Sequence, residues 1–304
     1  MGKTSNHIQR NGKFFTGDLY SGKTTNRILE PIQPSINFDV TADWSYGFNP
    51  ITDKSSFILF FENSGFINIV VENFVLSGQR ITCFLSCEGT DLNIQDKKVV
   101  TVNSIGEITN LNLLNFNIND IVDFNLLVAL PDSITQLYMN FNQIINFNPL
   151  IPLPSNLSEL GLANNQIVDF NPSVALPSNL LQLVLSYNQI VDFNPTIALP
   201  NSMSELLLDN NQIANFDPLI PLPNNLGLLF LKNNEITSFS PSVALPSSLL
   251  FIYLDNNLIN DWSDDSWVVN VGNNGFANLS NNSVTALGSA VHNSLSLKGW
   301  TVIL

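Results

Sequence analysis

Residues 157–179 read LSELGLANNQIVDFNPSVALPSN, and residues 180–202 follow the same plan as LLQLVLSYNQIVDFNPTIALPNS. Aligned with each other, they give the pattern L-x-x-L-x-L-x-x-N-x-I-x-x-F-x-P-x-x-x-L-P-x-x. The dipeptide Leu-Pro recurs at one fixed interval, from Leu130-Pro131 and Leu153-Pro154 to Leu245-Pro246. A fixed period of this length is the signature of a repeat architecture. The fold is therefore expected to arise from the stacking of equivalent segments.

Each column of the repeat has an expected structural role. The L-x-L step has a period of two, so both leucines of a strand are expected to point into the core. Stacked strands then form a parallel sheet with a spacing of about 4.8 Å. The repeats begin at Leu111, Ile134, Leu157, Leu180, Met203, Leu226 and Leu249. We expect one asparagine per repeat to form an internal ladder whose side chains hydrogen-bond to backbone groups. These residues are Asn119, Asn142, Asn165, Asn188, Asn211, Asn234 and Asn257. We expect a stacked spine from Phe124, Phe147, Phe170, Phe193, Phe216 and Phe239.

This pattern resembles the leucine-rich-repeat family over about residues 108 to 304, and the Leu-Pro before each strand is similar to bacterial versions of the repeat. The resemblance implies a horseshoe solenoid with a parallel sheet on its concave side. The proline after most of the phenylalanines disfavours a helix, so we expect extended or 3₁₀ segments on the convex side. The predicted fold class is mainly β: an α/β-horseshoe-type solenoid with few helices, preceded by a small antiparallel β-domain.

The expected domain organisation has four parts. Residues 1–33 are polar with scattered glycines and are predicted to be an extended arm with little fold of its own. Residues 34–107 alternate as β-strands do and favour a small β-domain, which is an N-terminal cap, an attachment module, or both. Residues 108–262 form the solenoid of about seven repeats, and residues 263–304 form a C-terminal cap. Within that cap we predict a short helix around Thr285–Asn293 and a last strand at Trp300–Leu304.

Composition and charge exclude several classes of function. The chain has 11 Lys+Arg against 25 Asp+Glu, a net charge of −14, which repels nucleic-acid backbones. The first residues contain no apolar core of a secretory signal, so we expect synthesis and initial folding in the cytoplasm. No apolar run approaches the length of about 18 residues that suggests a membrane span. Cys83 and Cys87 are four apart on a predicted strand, about 13 Å from each other, so we expect free thiols.

The motifs that suggest chemistry are weak in this sequence. Gly17–Thr24 matches the phosphate-loop pattern G-x-x-x-x-G-K-[ST]. That loop needs a buried strand before it and a helix after it, whereas here the preceding apolar segment is short and Pro31 follows closely. Asp261, Asp264 and Asp265 lack the spacing of a calcium loop and favour a solvated turn. With only His7 and His292 as histidines, we predict no catalytic residues, no metal site and no cofactor.

The candidate binding residues lie on the outward face of the expected concave sheet. Two of its columns become apolar and aromatic towards the C-terminal repeats. Such clusters are common at the centres of interfaces, although strand propensity alone also favours these residue types. The predicted site consists of Tyr138, Leu207, Leu228, Phe230, Phe251 and Tyr253.

Two functional hypotheses lead, neither of them enzymatic; a third, a nucleotide hydrolase, depends on Lys23 of the Gly17–Thr24 motif. The first is a structural or attachment protein of a large assembly, most plausibly a phage virion fibre, decoration or capsid-associated protein made in the host cytoplasm. It is motivated by the polar arm, the β-domain and the amide-rich surface of low charge density. The alternative is a free bacterial adhesin or effector, in the bacterial cytoplasm or at the cell surface, that binds a host or surface protein. Both predict protein partners, no nucleic acid and no membrane insertion.

Overall fold

The computed structural model describes residues 111–122, 124 and 129–304 in full, together with the backbone of nine strands between residues 6 and 104. The N-terminal strands are β1 Asn6–Arg10, β2 Lys13–Gly17, β3 Ser35–Val40, β4 Phe57–Asn63, β5 Gly65–Val71, β6 Phe74–Ser77, β7 Arg80–Phe84, β8 Asp91–Asn93 and β9 Val99–Ser104. The repeat strands are β10 Leu113–Asn115, β11 Gln136–Tyr138, β12 Glu159–Gly161, β13 Gln182–Val184, β14 Glu205–Leu207, β15 Leu228–Phe230 and β16 Phe251–Tyr253. The C-terminal elements are a 3₁₀ helix at Ser266–Val269, β17 Phe276–Asn278, α1 Ala290–Leu297 and β18 Thr301–Ile303.

Strands β10 to β18 form one parallel sheet in which each strand pairs with the next along the chain. From β10 to β16 the register follows the repeat period, so that Leu160 lies beside Leu183 and Leu183 beside Leu206. At the other end, β8 pairs parallel with β10, and β4 and β5 continue the sheet in antiparallel fashion. The mainly β parallel solenoid predicted from the sequence is confirmed.

The N-terminal strands differ in part from the expectation for this region. β3, β6, β7 and β9 form a four-stranded antiparallel sheet. β1 and β2 form a hairpin inside the segment predicted to be an extended arm, because Asn11-Gly12 between them is a strong hairpin signal. β2 also precedes the Gly17–Thr24 motif and pairs antiparallel, unlike the central parallel strand of a phosphate loop. The predictions for the thiols of Cys83 and Cys87 and for Lys23 lie outside the described residues.

The core is built from the columns that the repeat defines. In the repeat that begins at Leu157, four core side chains are at most 1% exposed: those of Leu160, Leu162, Ile167 and Phe170. The phenylalanines stack as predicted, with centroid distances of 6.1–6.3 Å between neighbours from Phe124 to Phe239. Dispersion between these rings and burial of the leucines drive the stacking of repeats.

The asparagine ladder is also confirmed. Asn165 Nδ2 donates to the Met139 carbonyl of the preceding repeat at 2.9 Å and to the Leu162 carbonyl of its own repeat at 3.0 Å. Its Oδ1 accepts from the Ile144 amide at 3.0 Å. The same set recurs through Asn257, and Asn282 continues it with bonds to the Leu254 and Leu279 carbonyls. Buried amides thus satisfy the backbone where each strand turns away from the sheet.

The convex side is extended, as expected. Between residues 129 and 262 the structure contains no helix. Isolated parallel bridges join Asn146 to Asp169, Asp169 to Asp192 and Asp192 to Asn215. Each of these four residues directly precedes a phenylalanine of the spine. The prolines that come after the phenylalanines favour an extended backbone. A second ladder therefore holds the convex segments in the register of the sheet.

The C-terminal cap corrects one prediction. The helix expected around Thr285–Asn293 begins instead at Ala290 and ends at Leu297. Gly288 has φ 74°, in the left-handed region, and the Ser289 Oγ accepts from the His292 amide, so the helix starts after this pair. The predicted last strand is present as β18, which pairs with β17 and against which α1 packs.

Candidate functional site

The outward positions of the strands form two columns on one face of the sheet, which is the concave side of a horseshoe solenoid. The middle residue of each repeat strand is buried, while the first and third residues remain at least partly accessible except at Gly161. All six predicted site residues occupy these first and third positions. The sheet alternation therefore directs them away from the leucine core.

Five of the six predicted residues lie together on β14, β15 and β16. Leu207 pairs with Phe230, and Leu228 pairs with Phe251, across adjacent strands. The rings of Phe230 and Tyr253 stack face to face, with centroids 4.2 Å apart and planes 8° from parallel. Phe251 is 44% exposed beside this stack. The strands thus display a continuous apolar and aromatic area to solvent.

Sequence reasoning missed Phe276, which extends this area onto β17. Phe276 pairs with Phe251 in the sheet, and its ring centroid lies 5.4 Å from that of Tyr253. Phe276 follows Phe251 by more than one repeat period, because the last repeat is longer than the others. Asn257 and Asn282 both belong to the asparagine ladder, and the interval between them also exceeds the repeat period. This longer interval is the sequence signal that could have located Phe276. We call Leu207, Leu228, Phe230, Phe251, Tyr253 and Phe276 the aromatic surface.

Tyr138 does not belong to the aromatic surface. It lies on β11, three strands from β14, or about 14 Å at the usual strand spacing. Its hydroxyl donates to the Glu159 carboxylate. Burial, followed by the hydrogen bond and charge of Glu159, raises the pKa of Tyr138 well above its ordinary value. The outward face is therefore polar and hydrogen-bonded in the N-terminal repeats and apolar in the C-terminal ones.

A row of charged and polar groups borders the aromatic surface, two residues beyond the third strand position. Lys232 Nζ lies 6.0 Å from the centroid of the Phe230 ring, a cation–π geometry. Asp209 accepts hydrogen bonds from Ser186 and Asn210. Asp255 is 8% exposed; its Oδ2 accepts from Asn256 Nδ2, and its buried Oδ1 has no hydrogen-bond partner. This border combines one cation with two largely buried carboxylates.

The three aspartates considered for calcium each bond to a different neighbour. Asp261 accepts from Ser263, and Asp265 accepts from Ser294 Oγ. Asp264 accepts from Ser240 Oγ and the Ser266 amide, and these bonds lower the pKa of Asp264. The described residues contain no group of three or more His, Cys, Asp or Glu side chains arranged to hold a metal ion. Among the described helices, none is long and apolar enough to cross a membrane.

Several leucine-rich-repeat proteins of known structure are similar to parts of this chain. No family model matches the sequence, and neither does any curated protein sequence. YopM, a leucine-rich effector protein from Yersinia pestis, is 21% identical with a TM-score of 0.47, and the match covers 64% of this chain and 50% of YopM. The leucine-rich-repeat domain of a Shigella effector is 21% identical with a TM-score of 0.43, over 57% of this chain and 71% of that domain. An internalin from Listeria monocytogenes is 24% identical with a TM-score of 0.36, over 71% of this chain and 73% of the internalin.

The assignment of the fold rests on the geometry of the chain itself. Each repeat contributes one parallel strand, one buried asparagine to the ladder and one aromatic ring to the spine. Residues one repeat period apart in the sequence stack on each other in every one of these columns. From residue 111 onwards, this chain is a leucine-rich-repeat solenoid.

Proposed function

We propose that the chain is a non-enzymatic protein-binding module and that its aromatic surface is the centre of the contact with a protein partner. The observation that carries the proposal is the stack of Phe230 on Tyr253 beside an accessible Phe251. Rings on the accessible face of a sheet leave apolar area in water, which a partner would cover. Aromatic side chains are also enriched at interface centres.

The chemistry of the surroundings supports a protein as the ligand. The outward face of the parallel sheet is open and extends across many strands, whereas sites for small molecules are enclosed clefts or cavities that bury most of their ligand. Residues 111–304 contain two lysines, no arginine and fourteen Asp or Glu, a net charge of −12 that disfavours nucleic acids. An apolar centre with a charged border matches the usual anatomy of protein interfaces.

We propose further that the partner belongs to a large assembly, with a phage virion as the leading setting. The polar arm and the amide-rich surface of the sequence support this setting. The competing setting is a free bacterial adhesin or effector that binds a host or surface protein. The two settings predict different locations of the chain, inside purified particles or free and bound to cells.

The test uses the repeat itself to design neutral substitutions. Asn278 occupies the third strand position on β17, so Phe230→Asn and Tyr253→Asn place a residue there that the sheet already accepts. Val184→Asn, in the same column on β13, is the matched control outside the aromatic surface. The readout is the fraction of full-length chain recovered with purified particles or with cells, together with circular dichroism to verify folding.

Each interface anchor typically contributes about 2 kcal/mol or more, which is about 30-fold in affinity. The double variant should therefore lose on the order of 1,000-fold. Val184→Asn should bind like the unmodified chain. Equal binding by the folded double variant would refute the proposed surface. Recovery of the unmodified chain only outside particles would replace the assembly setting by the adhesin or effector setting.

A further inference from the structure

Two aspartates in the charged border of the aromatic surface differ in their hydrogen bonding. Both are 8% exposed, and they lie two repeats apart in the same row. Asp209 uses both carboxylate oxygens: Oδ1 accepts from Ser186 Oγ at 2.5 Å, and Oδ2 accepts from Asn210 Nδ2 at 2.6 Å. Asp255 uses only Oδ2, which accepts from Asn256 Nδ2 at 2.9 Å, and its buried Oδ1 has no hydrogen-bond partner. The second carboxylate is therefore incompletely satisfied.

The repeat shows why the Asp255 Oδ1 has no partner. Ser186 donates to Asp209 from the preceding repeat. Lys232 has the equivalent position one repeat before Asp255, yet its ammonium group lies over the Phe230 ring, 6.0 Å from the centroid. A buried carboxylate oxygen without a donor is costly, because burial has removed its water. The unbound protein thus holds an acceptor that a donor from another molecule can satisfy.

The charges around the aromatic surface define the kind of donor that fits. Three carboxylates, those of Glu205, Asp209 and Asp255, lie on or beside its strands, together with one ammonium group, that of Lys232. Residues 111–304 contain no arginine, and their second lysine lies in the C-terminal cap. Carboxylates attract a cation and strengthen its hydrogen bonds, whereas acidic side chains of a partner would be repelled. A basic side chain is therefore the complementary donor.

We propose that Asp255 selects a protein partner that presents a basic side chain, lysine or arginine, next to the apolar residue that covers the aromatic surface. This inference rests on the proposed function, because it adds a specificity-determining contact to the same surface. Asp255 follows Tyr253 by two residues, so the basic and the apolar group lie side by side in the partner. The last side-chain torsion of an aspartate has a broad energy profile, and its rotation turns Oδ1 towards the basic group. A charge-assisted hydrogen bond then supplies the missing partner.

Selection from a displayed library of random peptides, with the full-length chain as the target, tests the chemistry of the partner. Peptides that also bind the folded double variant Phe230→Asn with Tyr253→Asn are removed, so that those retained require the aromatic surface. We expect Lys or Arg beside an apolar residue about tenfold more often in the retained peptides than in the starting library. In a parallel selection on Asp255→Asn, the enrichment of Lys and Arg should disappear while the apolar residue is retained.

Calorimetric titration of one selected peptide measures the contact itself. Asp255→Asn should weaken binding about 10- to 100-fold, because a hydrogen bond to a charged group is lost. The variant should fold, since Asn140 occupies the same row, and circular dichroism verifies this. Asp209→Asn is the matched comparison: it removes the same charge from the same row, but from a carboxylate whose oxygens already have donors. It should weaken binding about fivefold or less.

A change in the peptide completes the test. Replacing its basic residue by glutamine should weaken binding about tenfold or more on the unmodified chain, and about twofold or less on Asp255→Asn. This difference isolates the pair of groups from the general attraction between an acidic protein and a basic peptide.

The outcomes separate this proposal from the proposed function. Retained peptides without enrichment of Lys and Arg would overturn the proposal and leave the aromatic surface as the binding site. Equal losses for Asp255→Asn and Asp209→Asn, or an equal effect of glutamine on the unmodified chain and on Asp255→Asn, would overturn it as well. If no peptide required the aromatic surface, the proposed function and this proposal would both fail.

Discussion

Replacing Asn188 by alanine tests whether the asparagine ladder holds the repeats together. Asn188 is 7% exposed. Its Nδ2 donates to the carbonyls of Leu162 and Leu185, both at 3.0 Å, and its Oδ1 accepts from the Ile167 amide at 3.0 Å. The substitution removes bonds within one repeat and between two repeats. Its cost can be worked out from the groups that remain.

The four former partners, which include the Ser186 carbonyl at 3.4 Å, are not affected equally. The Leu162 and Leu185 carbonyls each keep a second donor, Asn165 and Asn211 respectively, so each loses one bond of about 0.5–1 kcal/mol. The Ile167 amide keeps no acceptor and becomes a buried unsatisfied donor, which costs about 1–3 kcal/mol. We therefore expect Asn188→Ala to lower the free energy of unfolding by about 2–5 kcal/mol.

Urea-induced unfolding monitored by circular dichroism measures this loss, and a comparison of the slopes checks that unfolding stays cooperative. At about 2–4 °C per kcal/mol for a chain segment of this size, the melting temperature should fall by roughly 4–20 °C. Asn179→Ala is the control, since Asn179 is exposed and donates one bond to the Ser155 carbonyl. It should change stability by no more than about 0.5 kcal/mol. If the two variants were equally stable, the ladder would not have the structural role that we assign to it.

Three more predictions test other columns. Phe170→Ala should cost about 3–5 kcal/mol in urea unfolding, because this buried ring stacks on both of its neighbours; a loss below about 1 kcal/mol would show that the spine is dispensable. Tyr187→Asn should be more stable than Tyr187→Ala by about 0.5–1 kcal/mol, because both lose the ring but asparagine suits the left-handed backbone; equal melting temperatures would contradict this. Glu159→Gln should lower the pKa of Tyr138, measured by tyrosinate absorbance against pH with Tyr138→Phe as the reference. Because the folded pKa is raised above the ordinary 10.0, the stability linked to this proton is complete below pH 10 and is lost as pH rises through the folded pKa, less so in Glu159→Gln; identical profiles would refute the coupling.

The sequence predicted the strand position of each candidate site residue, but it predicted only some of the residues that lie beside it. A strict repeat period places Phe230 beside Tyr253, since stacked repeats bring residues one period apart into contact. The same period places Leu207 three strands away from Tyr138. The two residues both point outward, but they are not neighbours. Where the last repeat exceeds this period, the column is lost from the sequence and Phe276 was missed.

The sequence by itself determined the solenoid, the ladder and the spine, because a repeated spacing of inward residues admits one parallel register that buries them all. Tertiary structure alone decided the start of α1, which depends on the backbone of Gly288 and the cap at Ser289. It also revealed that Ile118, Phe141 and Tyr187 are exposed, because their exposure and left-handed φ depend on how the chain turns after each strand. Periodicity specifies which residues stack, whereas the path of the backbone between strands specifies which of them meet solvent.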